Sequence, residues 1–157
     1  MKKFISYASV LLFFILAFGL AACKNNNDKS QTAAKTQSEN ETIEKTGLWE
    51  NAIYLTDTEF GEGLNTVVVE ITADDNTVTF TIHTDKETVG DALIENNLIA
   101  GDEGEFGLYV KAVNGMTADY DVDQSYWAFY INGEYAMSAV DRTDITDNTL
   151  YSLVCTK

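Results

Sequence analysis

Proline is absent from the 157-residue sequence, which contains only two cysteines and one histidine. Because no proline removes a backbone N–H, no segment is excluded from the interior of a β-sheet on that ground. The scarcity of histidine argues against thiol catalysis, which pairs a cysteine with a nearby imidazole. The single histidine, His83, falls on the polar face at the end of a predicted strand, where we expect an exposed, non-catalytic side chain. The sequence contains no phosphate-binding glycine loop, no cluster of metal ligands and no side chain in a recognisable motif for a catalytic nucleophile. We therefore expect that the protein is not an enzyme.

Basic residues are also scarce. Ten lysines and arginines stand against 25 aspartates and glutamates, which gives a formal net charge of −15. A protein this acidic does not bind nucleic-acid phosphates through general electrostatics, so we exclude nucleic acid as a partner. An anionic membrane surface would repel it as well, and a membrane location would therefore require an anchor.

The N-terminus has the features of such an anchor. Lys2 and Lys3 precede an apolar run at 11–20, and Leu20-Ala21-Ala22-Cys23 ends that run with small residues and a cysteine. The run is too short for a good membrane-spanning helix. We predict that residues 1–22 are a lipoprotein signal peptide, which is cleaved before Cys23. The sulfur of Cys23 would then carry a lipid, for example one that contains palmitate. The alternative is an ordinary secretory signal. The mature chain would face the extracytoplasmic side of the cell membrane with a net charge of −17, from 8 basic and 25 acidic residues.

The rest of the chain divides by composition. Residues 23–46 are almost entirely polar and cannot bury enough surface to fold, so they are predicted to be a flexible tether. Residues 47–63 are a leading segment of uncertain structure, which could form a strand or pack irregularly over the tyrosines described below. Residues 64–157 are predicted to be the folded domain. With Cys23 lipidated, Cys155 has no partner for an intramolecular disulfide and is expected to act as a small apolar residue.

The folded domain is predicted to be α+β, with a β-grasp-like mixed sheet and one covering helix. Period-two alternation and turn clusters predict strands at 66–72, 77–83, 106–113, 126–131, 134–137 and 150–156. Thr88 and Asp91 resemble a capping box that begins the helix, and Gly101 is expected to end its segment. A hairpin followed by a helix that crosses a mixed sheet is the β-grasp arrangement.

The hairpin at 126–137 is the strongest local signal in the sequence. Its Asn132-Gly133 pair favours a two-residue type I′ turn, which sets Ile131 opposite Glu134. One face then carries Trp127, Phe129, Ile131 and Ala136, which we expect to hold the helix against the sheet. The other face carries Tyr126, Tyr130, Tyr135 and Met137, which we predict to form either a second packing surface or a ligand-binding platform.

Three segments resemble a known family: HTDKETVGDALIENNLIAG, FGLYVKAVNGMTADYD and YWAFYINGEYAMSAVD. They are similar to a bacterial domain of unknown function that is related to the C-terminal β-domain of transcobalamin and intrinsic factor. The resemblance covers Asn65–Lys157 and implies a β-grasp-like fold and an extracytoplasmic role. In the vertebrate carriers the matching domain helps to cover cobalamin against a larger helical domain. This chain has no counterpart of that helical domain, so half of the cobalamin cage would be missing.

A weak metal site is a further expectation. Asp119, Asp121 and Asp123 alternate as in the opening of a Ca²⁺-binding EF-hand loop. The match then fails, because Gln124 stands where that loop requires glycine and Tyr130 where it requires a bidentate glutamate. A Ca²⁺ site of another geometry and a solvated acidic loop both remain open.

Two functions follow from these features. The first is a lipid-anchored binding module that presents a corrinoid such as cobalamin, or another flat small molecule, to an uptake system or transporter. The alternative is a structural or adhesive surface protein that contacts another envelope protein, for example by adding a strand to an exposed sheet edge.

Overall fold

Two nine-residue strands lie at the centre of the domain in the computed structural model, which describes residues 42–157. Strands β2 (Asn65–Ala73) and β3 (Asn76–Thr84) form the predicted antiparallel hairpin. Alternate residues of both strands are buried, as the alternation of apolar and polar side chains requires. Asp74 and Asp75 make the turn with φ of 46° and 66°, a conformation that aspartate tolerates better than most residues.

The remaining elements are short. In chain order they are a 3₁₀ helix at Gly47–Asn51, β1 (Thr58–Gly61), α1 (Val89–Glu95), β4 (Ile99–Gly104), β5 (Gly107–Val113), β6 (Met116–Thr117), α2 (Tyr120–Asp123), β7 (Tyr126–Ile131), β8 (Glu134–Tyr135), a 3₁₀ turn at Val140–Arg142 and β9 (Leu150–Thr156). No helix in this part of the chain has the length and apolar character needed to cross a membrane.

The larger sheet has the strand order β1-β3-β2-β9-β7-β8. Strand β9 lies parallel to β2 and antiparallel to β7, so the sheet is mixed. The hairpin β2–β3, the helix α1 and the return of β9 beside β2 give the expected β-grasp-like order. The predicted α+β class is therefore confirmed.

A second sheet, in the order β4-β5-β6, is absent from the prediction. The sequence analysis assigned 106–113 to the single mixed sheet, whereas β5 pairs with β4 and β6. Strand β4 gave no strand signal because only Ile99 is buried and the rest of the strand is exposed. Gly101, expected to follow the helix, instead lies in β4 at a β-bulge.

Helix α1 begins as predicted and ends earlier. The Thr88 hydroxyl accepts a hydrogen bond from the Asp91 N–H at 3.1 Å, which confirms the predicted cap. The helix ends at Glu95, and Asn97 takes the left-handed conformation with φ of 56°. Asparagine can replace glycine at this position of a helix end, so no glycine is needed there.

The leading segment packs on the core and lies far from the tyrosines in the sheet. Trp49 is fully buried, and its Nε1–H donates to the Ala73 carbonyl at 2.8 Å. Strand β1 pairs with β3 at the end of the sheet opposite to β8. Contacts begin at Ile43, whose N–H donates to the Leu55 carbonyl at 3.1 Å. The leading segment therefore leaves the predicted tyrosine face uncovered.

Asn114 ties the leading segment to the second sheet. It is fully buried with φ of 52°. Its side chain accepts from the Tyr54 N–H at 2.9 Å and donates to the Tyr54 carbonyl at 2.8 Å. Its own carbonyl accepts from the Ile53 N–H at 3.0 Å. One side chain thus satisfies both backbone groups of a residue sixty positions away in the chain.

We predict that Asn114→Ala lowers the free energy of unfolding by about 2–4 kcal/mol, because both backbone groups of Tyr54 lose their partner. Urea denaturation followed by circular dichroism would measure the change. Asn148→Ala is the matched control, since Asn148 has a similar φ of 57° and an exposed side chain. Equal losses in the two variants would show that backbone conformation, and not the clamp on Tyr54, sets the cost.

Candidate ligand-binding groove

The hairpin β7–β8 has the predicted turn. Asn132 and Gly133 have φ of 52° and 82°, and Ile131 pairs with Glu134 as expected. The Ala136 N–H still donates to the Phe129 carbonyl at 2.9 Å. Regular pairing then stops, so the segment that follows Ala136 does not continue as a strand beside β7. Strand β8 has only two residues, and the chain leaves the sheet toward the turn at Val140–Arg142.

A groove of about 170 Å³ lies beside the uncovered part of β7. Its walls come from β5, from β7, from one residue of β9 and from the segment 135–140, which begins at the last residue of β8. The lining residues are Leu108, Tyr109, Val110, Tyr126, Trp127, Phe129, Tyr135, Ala136, Ser138, Ala139, Val140 and Leu153. This lining contains five aromatic residues and no charged residue. The early end of β8 therefore produces an aromatic groove at the edge of the sheet.

The structure brings two of the four predicted binding residues to the groove. Tyr126 and Tyr135 line it, and they are half-buried and 58% exposed, respectively. Tyr130 packs against Tyr135 with ring centroids 5.6 Å apart and is absent from the lining. Met137 is 98% exposed and also lies outside the lining. Residues from both faces border the groove because it lies at a sheet edge.

Tyr109 completes the aromatic lining, and the sequence analysis did not select it. It lies on β5 and is 48% exposed. The other aromatic residues of the groove are at least seventeen residues away in the chain, and no local pattern connects them with Tyr109. Only the packing of β5 against β7 brings Tyr109 to the site.

Trp127 was expected to pack against the helix, but it lines the groove opposite β5. The residue is 7% exposed, and its Nε1–H is closed to solvent and has no hydrogen-bond partner among residues 42–157. Leaving a buried donor unpaired costs roughly 1–3 kcal/mol, and most proteins avoid it. The indole of Trp49, by contrast, is paired with the Ala73 carbonyl. Trp127 therefore carries an unsatisfied buried donor within the described residues.

The three acidic candidates for a Ca²⁺ site belong to the cap of α2. The Asp119 carboxylate accepts from the Asp121 N–H at 3.0 Å. The Asp123 carboxylate accepts from the N–H and the hydroxyl of Ser125, and it pairs with Lys157 at 3.1 Å. In the described chain, no three histidine, cysteine or acidic side chains form a group that could hold a metal ion. The carboxylates of Asp119 and Asp123 therefore accept hydrogen bonds from different residues of the chain.

His83 joins three strands of the sheet. Its Nε2 lies 2.7 Å from a carboxylate oxygen of Glu59, and its Nδ1 lies 3.2 Å from the Thr66 hydroxyl. Cys155 lies on β9, and β2 separates that strand from β3, which carries His83. Burial raises the pKa of the Cys155 thiol, with a further contribution from the negative charges of Asp74 and Asp123. The thiol is therefore the protonated form at neutral pH.

The hydrogen bond from the Ser125 hydroxyl, followed by that from Lys157, lowers the pKa of Asp123 to about 2. A group whose folded pKa is depressed stabilises the fold above its unfolded pKa. This contribution is lost as the pH falls from about 4 to about 2.

We predict that Ser125→Ala raises the pKa of Asp123 toward the ordinary aspartate value, measured by a carboxyl NMR titration. Lys157→Met should raise it less, because the lysine is the smaller cause. A larger rise in the lysine variant would contradict this order.

Part of the chain is similar to a known family. Residues 86–150 match the model of a domain of unknown function, DUF4430. This match supports the resemblance to a domain of unknown function, and it spans every lining residue of the groove except Leu153. A comparison with curated proteins finds no match.

The solved structures that are similar to the chain include the following two. One is a presumed metal-binding protein from Ruminococcus gnavus ATCC 29149, with 28% identity and a TM-score of 0.57. That match covers 60% of this chain and 98% of the other. The second is haptocorrin in complex with Cbi, with 16% identity and a TM-score of 0.46, covering 59% of this chain. This match covers only 25% of the haptocorrin chain, and it carries no functional argument.

Proposed function

We propose that this chain is a lipid-anchored, extracytoplasmic binding module that holds its ligand in the aromatic groove beside β7. The composition of the groove is the observation that carries the proposal. Binding sites for small molecules are concave and mostly apolar, with a few polar groups that orient the ligand. Tyr109, Tyr126 and Tyr135 supply large apolar surfaces with polar ends, and Trp127 adds a further aromatic ring to the lining.

The size of the groove limits what it can hold. Pockets that enclose a drug-sized molecule measure about 300–1,000 Å³, whereas this groove measures about 170 Å³. It would therefore hold one part of a larger, flat and partly apolar ligand, and the remainder would lie over exposed residues such as Met137. A corrinoid is one such ligand. The description of the R. gnavus protein as presumed to bind metal also fits a binding role.

We also propose that the module binds its ligand without chemical turnover. The sequence offers no recognisable nucleophile setting, and the thiol of Cys155 is held in its unreactive protonated form. The ligand would instead be kept near the membrane for an uptake system. The anchor is the predicted lipid on Cys23, which lies outside the described residues.

We predict that Tyr135→Ala weakens ligand binding by about 5- to 30-fold, since an aromatic contact in a binding site is worth about 1–2 kcal/mol. Cyanocobalamin followed by calorimetry, and neutral flat aromatic fragments followed by ligand-observed NMR, are the probes. The melting temperature should change little, because this side chain is largely exposed. Phe106→Ala is the control, since Phe106 is 81% exposed and lies outside the groove. Failure of every probe to bind, or equal binding by both variants, would reject the groove as the site.

We predict that Cys23→Ser moves the protein from the membrane fraction to the soluble fraction of its host cells and abolishes labelling by a palmitate analogue. Cys155→Ser should remain membrane-bound and labelled, because Cys155 is an interior residue of β9. Membrane retention of the Cys23 variant would contradict a lipid anchor at this position.

A further inference from the structure

The lining of the groove favours a particular charge on its ligand. Tyr109, Tyr126 and Tyr135 line it together with Trp127 and Phe129, and no basic or acidic side chain is among the lining residues. Aromatic rings present a negative face, and a cation within about 6 Å of the ring centre is attracted to it. An anion at the same place would have no positive partner. The lining alone therefore favours a neutral or cationic group over an anionic one.

The field of the surrounding protein favours a cation further. The described residues 42–157 carry 22 acidic and 5 basic side chains, which leaves a net charge of −17. Two of the basic residues nearest in the chain to the groove form ion pairs, Lys111 with Asp102 and Lys157 with Asp123. The third, Arg142, donates to the Glu105 carbonyl at 3.0 Å and keeps its positive charge. A field of this sign raises the local concentration of cations.

One carboxylate lies next to the groove, outside its lining. Asp141 is half-buried, and its Oδ1 accepts a hydrogen bond from the N–H of Leu108, a lining residue, at 2.8 Å. The preceding residue, Val140, also lines the groove. Asp141 makes no ion pair within the part of the chain that the structure describes. The Asp141 carboxylate therefore adds to the attraction for a cation, although the guanidinium of the neighbouring Arg142 opposes it.

Helix α1 fixes this carboxylate in place. The Val89 N–H donates to the Thr143 carbonyl at 2.9 Å. Gly90 lies so close to the turn that an added Cβ would be 2.6 Å from the Asp141 Cα. Because this approach requires glycine, the backbone of Asp141 is held against the helix while its side chain reaches β5. The charge next to the groove is therefore preorganised.

From these observations we infer that the group held in the groove is an organic ammonium ion. The inference rests on the proposed function and names the chemical class of the ligand group. A trimethylammonium or a primary ammonium group is small enough for about 170 Å³. Recognition would combine the aromatic lining with the long-range attraction of Asp141.

The test compares choline with 3,3-dimethylbutan-1-ol, which has the same shape and no charge. On the wild-type protein, calorimetry and NMR titration should show that choline binds at least tenfold more tightly than the neutral analogue.

Tyr135→Leu keeps an apolar side chain and removes the ring, and it should weaken choline binding about three- to tenfold. Asp141→Asn keeps the acceptor for the Leu108 N–H and removes the charge, and it should weaken choline binding about two- to fivefold. Asp75→Asn, in the distant β2–β3 turn, should have no effect.

The outcomes separate this inference from the proposed function. Equal binding of choline and its neutral analogue in the groove would overturn the ammonium inference and leave the groove as a binding site. Absence of binding by either compound would overturn the ammonium inference, and the flat neutral probes would then decide the proposed function by themselves. Among positive results, retention on phosphatidylcholine vesicles that free choline reverses would identify a lipid headgroup as the source. Binding of free choline without retention on the vesicles would identify a soluble ammonium compound.

Discussion

The main constraint on this structure is that one face of a six-stranded sheet must be covered although residues 42–157 form only one short helix over it. Helix α1 has only seven residues and contacts β3, β4 and the turn at Val140–Arg142. The far end of the sheet is covered by β5, which packs against β7. Because β8 stops after two residues, the sheet and its cover diverge there. The groove is a consequence of this short strand.

The two tryptophans lie at opposite ends of the core and differ in whether the indole N–H is hydrogen-bonded. Trp49 is fully buried and its indole N–H is paired, so it closes the core beneath the β2–β3 turn. Trp127 is nearly as buried, but its indole N–H has no partner in residues 42–157. The ring of Trp127 lines the groove beside Tyr126 and Tyr135, whereas its unpaired N–H is buried.

Local signals in the sequence predicted the local structure well. Asn132-Gly133 specified the turn and register of the β7–β8 hairpin, and Thr88 specified the start of α1. The site required contacts that no local pattern records. Strand β4 has one buried residue and shows no alternation, so the second sheet was missed, and with it the approach of Tyr109 to β7. Two of the predicted binding residues, Tyr126 and Tyr135, line the groove because the turn was correct. Tyr130 and Met137 do not, because pairing ends before the second strand could continue.

The most direct test of a ligand site in this groove is the NMR signal of the two indole N–H groups during titration with a bound probe such as choline or cyanocobalamin. The Trp127 signal should shift or broaden progressively, since its ring lines the groove. The Trp49 signal should stay in place, because its N–H is already bonded to the Ala73 carbonyl at the other end of the core. A bound probe that moves the Trp49 signal, or that leaves both signals unchanged, would contradict a binding site beside β7.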